Sequence, residues 1–318
     1  MTLLGLAPEH RFAVIEVGTN QRGEVAALSL LVRPDVAVVT AIGVEHTEGL
    51  GTLDDVADEE GDLYAALTSD GLAVGNADDP RVAAQLLRAA SRRRVVYGEA
   101  PRADYRIASR RPDGIHGSAI EVTRGGQTIA LRSPLLGEAG ALAATAALAV
   151  VEELLTERLD PDRATAALAE MDLPADGRLS ATQLDDGTVV LDDSYNANPV
   201  SMKASLRAAA ELSRALGRRL LLALGEMREL GALSAAEHDT LGTEAAAVQP
   251  AALIAVAGDA ARTAATAAAA GVPSAFAATA EEAASELLAR LQPGDLVLVK
   301  GSRGVRMERI VEALRARR

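Results

Sequence analysis

Apolar and polar positions along the chain fall into two series. In the second half, apolar runs rich in Val, Leu and Ala at 188–192, 219–224, 252–257, 273–276 and 295–299 predict buried strands. Ala- and Leu-rich stretches at 199–215, 234–247, 259–270, 279–291 and 303–317 predict the helices around them. Strand alternating with helix implies a doubly wound, mostly parallel sheet of five or six strands. In the first half, 12–17, 36–42, 71–75 and 95–97 read as strands, and 53–67 and 80–91 as helices. Residues 107–131 differ: they alternate more and carry Pro112-Asp113-Gly114 and Gly125-Gly126, so they predict a small antiparallel patch. Two helices at 139–155 and 160–171 follow. The stretch 172–177, with Pro174 and Gly177, predicts a linker. The expected fold is therefore α/β with two units: 1–175, a parallel sheet with an antiparallel patch, and 176–318, a Rossmann-like domain.

Composition narrows the possible partners. The formal charge is −13, which argues against nucleic acid, whose phosphates require Lys and Arg. It argues equally against an anionic membrane surface. There is no cysteine, hence no disulfide framework or thiolate chemistry. No signal peptide or spanning segment is visible, and the expectation is a cytoplasmic protein. Aromatic residues make up only 2 %, so the core is built from Ala, Leu and Val. Of the 32 basic residues only Lys203 and Lys300 are lysine.

That scarcity removes one chemistry. A phosphate loop needs Gly-x-x-x-x-Gly-Lys-Ser/Thr. Gly18 and Gly23 have the glycine spacing, but Glu24 and Val25 follow, an anion and an alkyl group where a cation and a hydroxyl belong. No lysine precedes position 203, and no dinucleotide fingerprint is present. The most informative segment is instead Asp192-Asp193-Ser194-Tyr195-Asn196-Ala197-Asn198-Pro199. A predicted strand ends there in two carboxylates, a hydroxyl, a phenol and two amides, and helical sequence follows. In open α/β sheets ligands bind at such edges. The same residues also suit an Asx-turn and an N-cap, and both readings stand. Glu16 ends the first predicted strand and His46 follows the second. Adjacent parallel strands would bring them to one edge, where a hard cation could be held or where His46 is a plain loop residue.

The chain resembles the Mur ligases, closest to the type that joins D-alanyl-D-alanine to a UDP-N-acetylmuramoyl-tripeptide. Seven blocks carry the resemblance in order: Val14–Asn20 with Gly23-Glu24; 38–46 with Glu48-Gly49; 76–79; Gly177-Arg178; 192–199; 224–238, with Leu224-Gly225-Glu226-Met227 and Glu237-His238; and 299–308, with Lys300-Gly301-Ser302-Arg303. The family's N-terminal UDP-substrate domain and phosphate loop have no counterpart in these residues. The resemblance implies an ATP- and Mg²⁺-dependent ligase of peptidoglycan precursor synthesis. ATP turns a carboxylate into an acyl phosphate, and an amine then displaces the phosphate. It implies Glu16 and His46 around Mg²⁺, and Arg178 on the transferred phosphate. Asp193 falls on the ribose hydroxyls, with Asn196 and Asn198 beside it. Lys300, Ser302 and Arg303 fall near the incoming D-alanyl-D-alanine.

Several positions depart from the family pattern. Glu60 stands where the family has a carbamylated lysine, and carries a similar terminal carboxylate on a shorter arm. The adenine-reading segment Gly-x-His-Asn-x-x-Asn is Gly137-Glu138-Ala139-Gly140-Ala141-Leu142-Ala143, and Ala41 replaces an asparagine. These losses concentrate on nucleotide and metal handling. They imply a chain that does not bind ATP tightly alone. Either a partner chain supplies a phosphate loop or the first unit self-associates. The alternative is a non-catalytic relative acting as a binding protein. Ser302 also suits a plain helix N-cap.

Overall fold

The computed structural model describes residues 2–44, 47–91, 93–171 and 177–317. Two compact units share them: Met1–Arg106 with Thr145–Arg158, and Ile107–Ala144 with Leu159–Arg318. The expected linker, apart from Gly177, lies outside the described residues.

The first unit holds α1 (Glu24–Val32), β1 (Val36–Val39), α2 (Thr47–Leu50), α3 (Leu53–Ala65), β2 (Leu72–Asn76), α4 (Pro80–Gln85), β3 (Arg93–Gly98) and the start of β4 (Tyr105–Pro112). β1, β2, β3 and β4 pair in that order, all parallel. Caps set the helix starts. Thr52 and Asp55 form a capping box on α3, and Asp79 caps α4 ahead of Pro80, the expected chemistry for orphan N–H groups. Tyr64 of α3 is fully buried. Its hydroxyl donates to Val74 O at 2.7 Å and accepts from Val39 N at 3.3 Å, tying the helix to β2 and β1. Burial pushes its phenol pKa far up.

One expected strand is absent. Residues 12–17 have no regular structure, and Phe12 and Val14 are 63 % and 95 % exposed. An apolar run becomes a strand only when a neighbour takes its N–H and C=O groups, and no described segment pairs with this one. The structure adds α1, which the apolar pattern did not predict.

The second unit holds the rest of β4, β5 (Ser118–Arg124), β6 (Gln127–Ser133), the start of α5 (Gly137–Leu155), α6 (Pro161–Ala169), β7 (Ser180–Gln183), β8 (Val189–Asp193), α7 (Pro199–Leu216), β9 (Leu220–Gly225), α8 (Ser234–Ala247), β10 (Ala252–Val256), α9 (Ala260–Ala269), β11 (Ser274–Ala277), α10 (Ala280–Leu288), β12 (Leu296–Lys300) and α11 (Glu308–Arg315). β5 and β6 form an antiparallel hairpin closed by Gly125-Gly126. The large sheet runs β11-β10-β9-β12-β8-β7, parallel except for β7. β8, β9, β10 and β12 are buried along their whole length, as a sheet covered on both faces requires. The expected helix at 303–317 is broken. A 3₁₀ turn at Arg303–Val305 ends at Arg306 with φ 63°, and α11 begins beyond it.

Candidate functional site

The sheet order puts β12 between β8 and β9 although it comes last in sequence. The chain thus steps outward from β8 to β11 and then returns to the middle. Ligand sites in open sheets form at such reversals, outside the carboxyl ends of the strands. Asp193 ends β8 and Lys300 ends β12, paired in register. A cleft of about 320 Å³ opens there. Its walls include Gly137, Glu138 and Ala139, Arg178, Asp193, Tyr195, Asn196, Asn198, Ser205 and Lys300. The volume is at the lower end of small-molecule sites.

Asp193 is anchored through one oxygen. Its Oδ2 accepts from Lys300 Nζ at 2.6 Å and from Ser205 Oγ at 2.5 Å, and Lys300 also donates to Asn196 O at 3.0 Å. Lys300 is 3 % exposed, a buried cation with a carboxylate and a carbonyl for partners. Oδ1 of Asp193 accepts no hydrogen bond from any described residue. A carboxylate fixed by one oxygen with the other unused suits a ligand that donates two hydroxyls.

The other motif residues divide between scaffold and surface. Asn198 caps α7: its Oδ1 accepts from Ser201 N at 2.8 Å, and Ser201 Oγ accepts from Asn198 N at 3.0 Å. Asp192 Oδ1 accepts from Ser194 N and Oγ, an Asx-turn. Asn196 presents an exposed side chain at the cleft. Ser302 makes no cap hydrogen bond. Its buried hydroxyl accepts from Arg228 N at 2.9 Å and donates to Ala197 O at 3.3 Å, so it binds two strand-end loops together. Arg178 and Arg303 are exposed, and their guanidinium carbons lie 4.5 and 5.7 Å from the Tyr195 ring centroid.

The first unit treats its candidates differently. Glu16 is exposed on an irregular segment, and His46 lies outside the described residues. Glu60 is half-buried on α3. Its neighbour Glu59 is 5 % exposed and reaches the start of α1, where it accepts from Gly23 N at 2.7 Å and Val25 N at 2.8 Å. Glu24 Oε2 accepts from Asn20 N at 2.9 Å and Gln21 N at 3.1 Å. Those backbone N–H groups hold the Glu24 carboxyl below the usual range. The segment with phosphate-loop glycine spacing thus gives its N–H groups to the chain's own carboxylates. Among the described residues no group of three His, Asp or Glu could hold a metal ion.

Sequence reading did not single out Ser205, Glu59 or the role of Tyr195. Ser205 sits on the α7 face that also buries Met202 and Leu206, which is where a polar residue signals a partner. Glu59 stands three residues after Val56 on the buried face of α3, a similar cue.

Sheet, strand-end carboxylate and cleft define a Mur-ligase-type fold, and the comparisons agree. Residues 1–151 match the Mur ligase middle domain and 177–303 the Mur ligase, glutamate ligase domain. The chain belongs to the Mur ligase family. It is 36 % identical to the UDP-N-acetylmuramoyl-tripeptide–D-alanyl-D-alanine ligase of Escherichia coli, over 99 % of this chain and 67 % of that protein. It is 29 % identical to the Bacillus subtilis enzyme of the same name, over 99 % and 66 %. Crystal structure I of MurF from Acinetobacter baumannii superposes with TM-score 0.85 at 28 % identity, covering 99 % and 67 %. MurF of Thermotoga maritima in complex with ADP shares the fold at TM-score 0.80 and 23 % identity, covering 94 % of this chain and 66 % of that one. The chain spans about two thirds of the length of these relatives. No described helix is long and apolar enough to cross a membrane.

Proposed function

We propose that this chain carries the middle and C-terminal parts, residues 1–175 and 176–318, of a cytoplasmic ATP-dependent ligase. That ligase joins D-alanyl-D-alanine to a UDP-N-acetylmuramoyl-tripeptide in peptidoglycan precursor synthesis. The observation that carries the reading is the Asp193–Lys300–Ser205 cluster at the strand reversal, with Arg178 on the same cleft. The donor set fits part of a nucleotide: Asp193 Oδ1 for ribose hydroxyls and Arg178 for phosphate, with Asn196 alongside. It does not fit adenine recognition through 137–143, where the residues are glycine, alanine and Leu142 apart from Glu138. When bound, ATP supplies the activation that makes a carboxylate an electrophile. The chain's own residues orient the sugar, balance phosphate charge and, through Lys300, Ser302 and Arg303, shape the side where the amine arrives. For Mg²⁺ we propose Glu16 with His46, and Glu60 in place of the modified lysine.

Without a phosphate loop in these residues, tight ATP binding needs a further segment. Calorimetry of the 318-residue chain with ATP and Mg²⁺ is expected to show no micromolar affinity. Adding the loop-bearing N-terminal third of a relative is expected to restore phosphate release in the presence of both substrates. Micromolar binding by the chain alone contradicts the first expectation, and no release after complementation contradicts the ligase reading.

We also propose that the first unit docks a partner or a second copy. Leu4, Phe12, Val14, Leu30 and Leu31 are 85, 63, 95, 77 and 69 % exposed, and apolar surface of this kind marks interfaces. Light scattering is expected to show concentration-dependent association. A stable monomer at tens of micromolar contradicts it.

A further inference from the structure

Two carboxylates stand on the walls of the cleft, Asp193 and Glu138. Lys300 and Ser205 fix Asp193, but Glu138 is weakly held. Its Oε2 meets Arg207 Nη1 at 3.5 Å, and its Oε1 accepts no hydrogen bond from any described residue. The Glu138 and Arg207 side chains are 32 % and 61 % exposed, and an ion pair open to water adds little. Glu138 therefore brings spare acceptor capacity to a space of ligand size.

The backbone fixes where this carboxylate starts. Gly137 has φ 68°, and a Cβ there would stand 2.6 Å from Ala208 Cβ. Glycine lets the start of α5 approach α7 this closely, and the next residue is Glu138. Glu138 also lies in the first turn of α5, where the helix dipole favours negative charge. That position suits any carboxylate. It does not explain a carboxylate on a cleft wall where the other residues of 137–143 are glycine, alanine and leucine. Along that stretch a base would meet one hydrogen-bonding side chain, and it is an acceptor.

A carboxylate accepts hydrogen bonds and donates none. Bases are read by hydrogen bonds along their Watson–Crick edge. Adenine presents there an amino donor beside the N1 acceptor, so one carboxylate oxygen would face a lone pair. Guanine presents two adjacent donors, N1–H and the 2-amino group, which match the two oxygens of one carboxylate. A site built for a donor rejects the analogue that lacks it, because its own polar group is left unpaired. We propose that Glu138 is a specificity-determining residue that selects guanine, so that the nucleotide of this cleft is a guanosine nucleotide. The inference rests on the nucleotide reading of the cleft and changes one part of it, the base.

Titrate the full chain with GMP, IMP and AMP at neutral pH, following the ligands by NMR so that millimolar affinities are measurable. The three carry the same ribose and phosphate, so their ratios report the base alone. GMP is expected to bind about tenfold more tightly than AMP, within the range of a bidentate base contact. IMP, which keeps N1–H and lacks the 2-amino group, is expected to fall between them. Glu138→Gln exchanges one acceptor for a donor, the pattern that pairs with adenine. It is expected to bring GMP down to the AMP level or below and to leave AMP no weaker. A helix-end role alone would weaken all three together. The wild-type ranking is a test by itself, so it does not depend on the variant folding. The outcomes also separate the two readings. Saturable binding of GMP and AMP with equal constants, or a ratio unchanged in a folded Glu138→Gln, overturns the guanine assignment and leaves the nucleotide cleft standing. Binding of none of the three overturns both.

Discussion

At 20–25 in the first unit, backbone N–H groups meet the chain's own carboxylates: Glu24 takes those of Asn20 and Gln21, and Glu59 those of Gly23 and Val25. At 177–196 and 300–303 in the second, one carboxylate oxygen has no hydrogen-bond partner, and two guanidiniums have no carboxylate partner, among the described residues. Both places sit where an α/β fold makes ligand sites. The first has closed on itself, because a buried carboxylate on helix N–H groups is a stable substitute for a bound anion. In the second, the partners that the described residues supply leave an acceptor or an arm unused. Among members of a nucleotide-using family, the capacity to bind is therefore read from unused donors and acceptors, not from glycine spacing.

The contrast breaks most sharply at Lys300. Lys300→Met removes the cation from a carboxylate 2.6 Å away that is itself 9 % exposed. The expected loss is about 3 kcal/mol, since an uncompensated buried charge is costly. Urea unfolding measures it, and Lys300→Met with Asp193→Leu is expected to regain most of it. If the single change is neutral, the open site does not depend on this pair.

Glu59 tests the closed side. Glu59→Ala leaves Gly23 N and Val25 N without an acceptor and is expected to lose about 2 kcal/mol. Glu59→Gln keeps one acceptor oxygen and loses less. Native-state hydrogen exchange should speed at residues 23 and 25 and leave β8 and β12 unchanged. Equal exchange in both variants and wild type would mean that the loop closes without Glu59.

The smallest effect concerns acid. Thr52, through its hydroxyl and its N–H, and then Arg22, pull the Asp55 carboxyl down to about 2. A depressed folded-state value gives stability that is present above the unfolded value of about 4 and is lost as pH falls toward 2. Protection of the first turn of α3 is expected to fade across that window, and Thr52→Ala should move the fading to higher pH. Asp55 titration followed by NMR decides the point. A wild-type value near 4 removes this cap from the account.

Much of this was legible in the residues. β8, β9, β10 and β12 fall within a residue or two of the apolar runs, because fully buried parallel strands write their burial directly into sequence. The 192–199 segment announced its cleft for a related reason: carboxylates at a strand end need something to hold. Residues 12–17 misled because apolarity records a wish for burial and not the presence of a partner strand. Glu59 and Ser205 were invisible as site residues since their partners lie 34 to 36 and 12 positions away. The Tyr195 contacts join segments 17 and 108 positions from the ring (Arg178 and Arg303), a relation that no local pattern encodes.

The choice of arginine over lysine has a practical side. Only two side chains carry a primary amine. Lys300 is sealed beneath Asp193, whereas Lys203 lies on α7, paired at 2.9 Å with Glu244 and 34 % exposed. Of the side-chain amines, an amine-directed tag therefore reaches first the one on the helix that walls the cleft, and later acylation of Lys300 becomes a clock for how often that wall opens.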